Sequence, residues 1–130
     1  MRLLLDTHIF LWYISADLNL AQAHKHAIQD PANDVYLSVA SIWEAIIKYQ
    51  LGKLPLPAPP EEYLPVQRQL HKIESLAINE ECLTHLAQLP PHHRDPFDRI
   101  IISQSLESGL ILVSCDLVFS KYSVPLLPEV

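Results

Sequence analysis

Short apolar runs alternate with stretches of helical periodicity along this chain, and that alternation limits the folds open to it. Leu3–Leu5, closed by Asp6 and Thr7, reads as a buried strand at the centre of a parallel sheet. Val35–Ser38 and Leu110–Ser114 read as further strands. Leu76–Ile78 and Val124–Leu127 are weaker candidates, the latter at a sheet edge. Helices are expected over Ile9–Tyr13, Leu20–Gln29, Val39–Leu51, Glu61–Lys72, Asn79–Leu86 and Asp95–Ser108. In the Val39–Leu51 helix, Val39, Ile42, Trp43, Ile46 and Ile47 mark one apolar face, which should pack inward, and Gly52 ends it. Asp95 suits the N-cap of the last helix, Pro96 its first position and Gly109 its end. Strands separated by helices imply an α/β fold, a parallel sheet with helices on both faces.

The 130 residues form one domain, 1–130. The proline-rich Leu54–Pro60 is a stiff connection rather than a boundary, because neither flank is long enough to stand comfortably alone. With only two glycines, Gly52 and Gly109, no P-loop, dinucleotide fingerprint or Gly-x-Ser-x-Gly elbow can be written. The net charge of −6 opposes non-specific binding to nucleic acid. Cys82 and Cys115 form no metal or redox pair, Cys115 is expected to be buried, and a reducing cytoplasm suits both. The N-terminus lacks the pattern of a signal peptide, and no run approaches a membrane span.

The positions of the acids carry more information. Asp6 and Asp116 each stand just past the carboxyl end of a strand, where open parallel sheets bind ligands. Either alone could simply start a turn or cap a helix. Glu44 lies at the edge of its helix's apolar face, in the first turns. It suits that crevice and an i, i+4 pair with Lys48 equally well. Asp98 falls between Ile101 and Ile102 on the inward face of its helix. An ionised carboxylate there needs a partner; Arg94 and Arg99 are candidates, and a metal ion is the more economical one. Gathered together, Asp6, Glu44, Asp98 and Asp116 would repel and raise one another's pKa, so they call for cations. Hard oxygen ligands select Mg²⁺ or Mn²⁺, ions suited to phosphodiester hydrolysis. Such ions would also turn an acidic crevice into one that attracts anions.

Leu3–His8, Ser41–Leu54, His93–Gln104 and Val113–Asp116 together resemble the motifs of PIN-domain proteins, nearest the VapC-type toxins of bacterial toxin–antitoxin pairs. The resemblance covers essentially the whole chain. It implies a PIN-like three-layer fold with a parallel sheet of four or five strands. It also implies an Mg²⁺- or Mn²⁺-dependent endoribonuclease, held by an antitoxin encoded beside it, and a homodimer. By position it carries catalytic and metal-binding roles onto Asp6, Glu44, Asp98 and Asp116. Asp6, Asp98 and Asp116 are the expected principal ligands, with Glu44 ligating directly or through water and helping to orient the nucleophile. Thr7 and Ser114 match supporting hydroxyls, and Asp95 matches a further acid that is a helix cap first and a supporting ligand second.

His92, His93, Arg94, Arg99, Lys48 and Lys53 are candidate contacts to RNA phosphates, although scattered surface charge accounts for each one separately. The histidines, including His24 and His26, lack zinc-site spacing and are expected in solvent. Trp12, Tyr13 and Trp43 are expected in the core or an interface. Leu51–Leu64 is a candidate antitoxin groove or dimer contact. A non-cleaving PIN-like module that binds RNA or a partner is the alternative to a nuclease. A phosphatase or receiver domain fits poorly, because His8 stands two residues after Asp6 and Thr7 follows it directly.

Overall fold

A computed structural model describes residues 1–130. In chain order the elements are β1 (Arg2–Leu5), α1 (Thr7–Ile14), α2 (Gln22–Gln29), β2 (Asp34–Ser38), α3 (Val39–Gln50), α4 (Pro60–Leu70), β3 (Glu74–Leu76), α5 (Glu80–Gln88), α6 (Pro96–Ser108) and β4 (Ile111–Val113). A short 3₁₀ turn, Leu117–Lys121, follows. The four strands form one parallel sheet in the order β3-β2-β1-β4. The α/β expectation holds, with β1 between β2 and β4.

Side chains alternate across the sheet as a two-residue period demands. Leu3, Leu5, Val35, Leu37 and Val113 join Ile9, Phe10, Ile28, Ala45 and Leu64 in one core layer. Leu4 and Leu112 face the other way, against Ile101, Ile102, Leu110, Phe119 and Tyr122. β1 thus supplies both layers, which is why its three leucines are contiguous.

The structure shifts several expected features. The strand after α4 is Glu74–Leu76, two residues earlier than Leu76–Ile78. Val124–Leu127 makes only a single bridge, Leu112 to Leu126, held by Leu112 N–H to Pro125 O at 2.8 Å and Leu127 N–H to Leu112 O at 2.9 Å. Pro125, which has no N–H to donate, and Pro128 bracket this short contact. Cys115 is exposed, because β4 ends at Val113 and the chain has already left the sheet. His24 is fully buried, its Nε2 3.1 Å from Leu127 O, and so pins the tail to α2 instead of facing solvent.

The largest change concerns α3. Its buried residues are Ala40, Ser41, Glu44 and Ala45. Val39, Trp43, Ile47 and Leu51, four residues apart along the helix, are 36%, 52%, 36% and 63% exposed. Small side chains let α3 sit close to its neighbours, and Thr7 Oγ1 donates to Ser41 Oγ at 2.8 Å. The bulkier apolar stripe is turned outward, apart from Ile42, which packs on the core.

Candidate active site

Each acid is delivered to the carboxyl end of the sheet by a different element. Asp6 ends β1 and stands at the N-cap of α1. Glu44 lies in the second turn of α3, which starts directly after β2. Asp98 lies in the first turn of α6, begun by Pro96 and capped by Asp95, whose side chain accepts from Phe97 N–H at 2.9 Å. Asp116 caps the 3₁₀ turn after β4, accepting from Val118 N–H at 3.0 Å.

The structure brings the four together. Asp6 and Glu44 feel each other's charge, and Asp98 feels both. Ligand atoms of Asp98, Asp116 and His93 lie within 4.8 Å of one another. His93, expected only as an RNA contact, is therefore part of the cluster. Asp95 serves as the helix cap and adds to the negative field on Asp98.

Most of these side chains are held by internal donors. Ser114 Oγ donates to Asp6 Oδ2 at 2.9 Å and accepts from Asp116 N–H at 3.1 Å, supporting two acids at once. The Thr7 hydroxyl turns to Ser41, and it is the Thr7 backbone amide that supports Asp6. Lys48 Nζ lies 2.7 Å from Glu44 Oε2, so the helical pair and the crevice placement of Glu44 are both realised. His93 Nε2 lies 2.7 Å from Asp98 Oδ2. Its Nδ1 accepts from the Asp95 amide at 3.4 Å.

Burial dominates the electrostatics. It pushes the Asp98 carboxyl up to about 7, and Asp6, Asp95 and Glu44 push the same way while the His93 hydrogen bond opposes them. Asp6 is also raised by burial, with Ser114, His8 and the Thr7 amide pulling it back. Burial alone would lower the Lys48 ammonium, but Glu44, Asp95 and Asp98 outweigh it and raise the pKa.

Glu44 is 4% exposed, and its Oε1 is buried without a hydrogen-bond partner. An ionised oxygen in that position is costly unless a cation faces it. Together with the hard oxygens of Asp6, Asp98 and Asp116, it fits a divalent ion of the Mg²⁺ or Mn²⁺ kind.

Among the expected RNA contacts, Arg94, His92 and Lys53 are exposed, and Lys48 is partly so. Arg99 is engaged within the protein. Its guanidinium donates to Pro90 O at 3.1 Å and His93 O at 3.3 Å, steadying the loop that carries His93. Tyr122 supports the same loop, its hydroxyl donating to Pro90 O at 2.9 Å and accepting from His93 N–H at 2.8 Å. Neither role had a sequence signal, because both partners are backbone groups of an irregular loop.

A groove of about 490 Å³ opens beside the acids, lined by Thr7, Trp12, Lys48, Lys53, Leu56 and Tyr63 among others. It runs from α1 to the Leu51–Leu64 segment.

The family model described as PIN domain matches residues 3–125, a span holding all four acids and every strand but the first residue of β1. The chain belongs to the PIN-domain family. This PIN domain is 38% identical over 58 residues to Ribonuclease VapC16 of Mycobacterium tuberculosis, a stretch covering 45% of this chain and 41% of that protein. The match therefore spans less than half of that relative's length. Among solved structures, VapBC2 from Rickettsia felis bound to a DNA fragment from its promoter aligns with TM-score 0.72 and 16% identity over 98% of each chain. DNA-bound VapBC from Salmonella typhimurium aligns with TM-score 0.68 and 18% identity, over 98% of this chain and 97% of that one. VapBC-1 from nontypeable Haemophilus influenzae aligns with TM-score 0.66 and 16% identity, over 99% and 98%. At these identities the likeness establishes a shared fold.

Proposed function

We propose that this PIN domain is a VapC-type endoribonuclease that depends on Mg²⁺ or Mn²⁺ and cuts single-stranded or loop RNA. The single observation that carries the reading is the buried, partnerless Glu44 Oε1 within a group of four carboxylates at the sheet's carboxyl end. Asp6, Glu44, Asp98 and Asp116 would hold the ion. When bound, the ion would acidify water and neutralise charge building on phosphate oxygens. Ser114 keeps Asp6 and Asp116 in register, and His93 holds Asp98 by one oxygen. Lys48 and Lys53, which line the groove, and the exposed Arg94 would meet the phosphates of a polyanionic chain. The partial likeness to a named ribonuclease supports the same reading.

The experiment is cleavage of an RNA panel by the purified, partner-free protein, with Asp6→Asn and Asp98→Asn alongside. Loss of cutting in both folded variants is expected. Full activity in either would defeat the assignment, and a wild type that never cuts would favour the binding-module alternative.

Two partners complete the proposal. A cognate antitoxin would dock in the groove along Leu51–Leu64, whose leucine and proline walls suit an apolar peptide and whose Lys48 and Lys53 suit acidic residues in it. Leu54→Asp with Leu56→Asp should abolish capture of the antitoxin encoded beside this chain. Undiminished capture would rule the groove out. A second copy of the chain would cover the Val39, Trp43, Ile47 and Leu51 stripe, which is apolar and can pair with itself about a two-fold axis. No helix is long and apolar enough to cross a membrane, and the two free thiols suit a cytoplasmic site.

A further inference from the structure

We propose that Lys48 stands in for a second metal ion, so that the acidic cluster takes up one divalent cation and not two. The proposal rests on the metal-dependent reading above, and concerns how many ions that site can hold.

Each carboxylate has one oxygen already engaged by the protein. Asp6 Oδ2 is held by Ser114, Glu44 Oε2 by Lys48, Asp98 Oδ2 by His93, and Asp116 Oδ1 by the Val118 amide. Each acid has a second oxygen that none of these four donors touches, and on Glu44 that oxygen is the buried, partnerless Oε1. Of the four donors Lys48 is the one ammonium, and it sits on the oxygen beside the partnerless Oε1. His93 Nε2 is engaged with Asp98 Oδ2 at 2.7 Å, and its ring offers one of three ligand atoms, with Asp98 and Asp116, that lie within 4.8 Å of one another.

The Lys48–Glu44 pair differs from an ordinary surface i, i+4 pair. The side chain of Glu44 is 5% exposed against 37% for Lys48, so the acid is desolvated and the ammonium reaches inward to it. The ammonium also lies in the field of Asp95 and Asp98, on another helix. A second divalent ion drawing on Glu44 Oε2 would meet a fixed positive charge 2.7 Å from that oxygen. Coulomb repulsion in a partly buried site makes the two cations alternatives. Lys48 also lines the neighbouring groove.

The test counts Mn²⁺ bound to the full chain, by electron paramagnetic resonance of the free ion and by calorimetry, with folding checked by circular dichroism. Wild type is expected to bind about one equivalent. Lys48→Met should admit a second equivalent, and Lys48→Arg, which keeps the charge, should stay at one. Lys48→Gln provides a second neutral variant in case the methionine variant does not fold. Two equivalents in wild type would overturn the proposal while leaving metal dependence standing. So would a single equivalent in a folded neutral variant. No binding by wild type would remove the metal-dependent reading, and this proposal with it.

Discussion

Ser114 Oγ and Asp6 Oδ2 form a 2.9 Å hydrogen bond that joins the ends of β1 and β4 across 108 residues of chain. Both groups are buried. The bond holds the Asp6 carboxylate, and the same hydroxyl accepts from the Asp116 amide. One side chain therefore orients two of the four acids.

Ser114→Ala should leave Asp6 without its side-chain donor. Removing a partner from a buried group costs about 1–3 kcal/mol, to be read by chemical denaturation of the metal-free protein. Divalent affinity should fall in parallel, because Asp6 and Asp116 lose their common support. Ser114→Thr keeps the hydroxyl and should recover most of both. Unchanged metal affinity in the alanine variant would show that the bond plays no organising part.

Asp98 links stability to pH. Its folded pKa of about 7 stands above the ordinary 3.8, so the folded state holds the proton more tightly than the unfolded state. The resulting stability is fully present below about pH 4 and is lost as pH rises through about 7. Metal-free protein should therefore melt at a lower temperature at pH 8 than at pH 6, and saturating Mn²⁺ should narrow the gap. Acid unfolding through other groups sets in below this window. A metal-free melting temperature that climbs between pH 6 and pH 8 would contradict the burial of this acid.

Asp98→Asn should separate stability from function. The amide carries no charge in its buried position, so the metal-free variant should be more stable than wild type at pH 8, where wild-type Asp98 is ionised. Its Mn²⁺ affinity should drop at least about tenfold, the effect of losing one charged interaction worth about 1.4 kcal/mol. Calorimetry and thermal melts on the same sample read both. A variant that is less stable and binds metal normally would refute the assignment.

The outward stripe of α3 predicts self-association. Within it, Trp43 lies 4.9 Å from Phe97 of α6 and perpendicular to it. Trp43→Glu or Ile47→Glu should yield a monomer in light scattering while the melting temperature changes little. Wild type that is already monomeric at high concentration would remove the interface.

Much of this was legible in the sequence. A leucine run ending in an aspartate gave a central strand and a carboxylate at its tip, and Asp98 betrayed itself by sitting between two isoleucines. The face of α3 was not legible in the same way. Hydrophobic periodicity finds a stripe, but here the tight contact is made by Ala40, Ser41 and Ala45, whose value lies in small size. The partners of Asp98 and Arg99 were hidden too, since His93 and the carbonyls of Pro90 and His93 lie in a loop with no periodicity to read. His24 looked like a surface residue because its acceptor, Leu127 O, is 103 residues away.

In the proposed function the four converging carboxylates hold the ion on which RNA cleavage would depend. The most direct measurement follows RNA cleavage by partner-free protein after stripping with EDTA, then during refilling with Mg²⁺ or Mn²⁺. No cleavage when stripped, and recovery that tracks the ion added, is the predicted result. Undiminished cutting in excess EDTA would contradict the account.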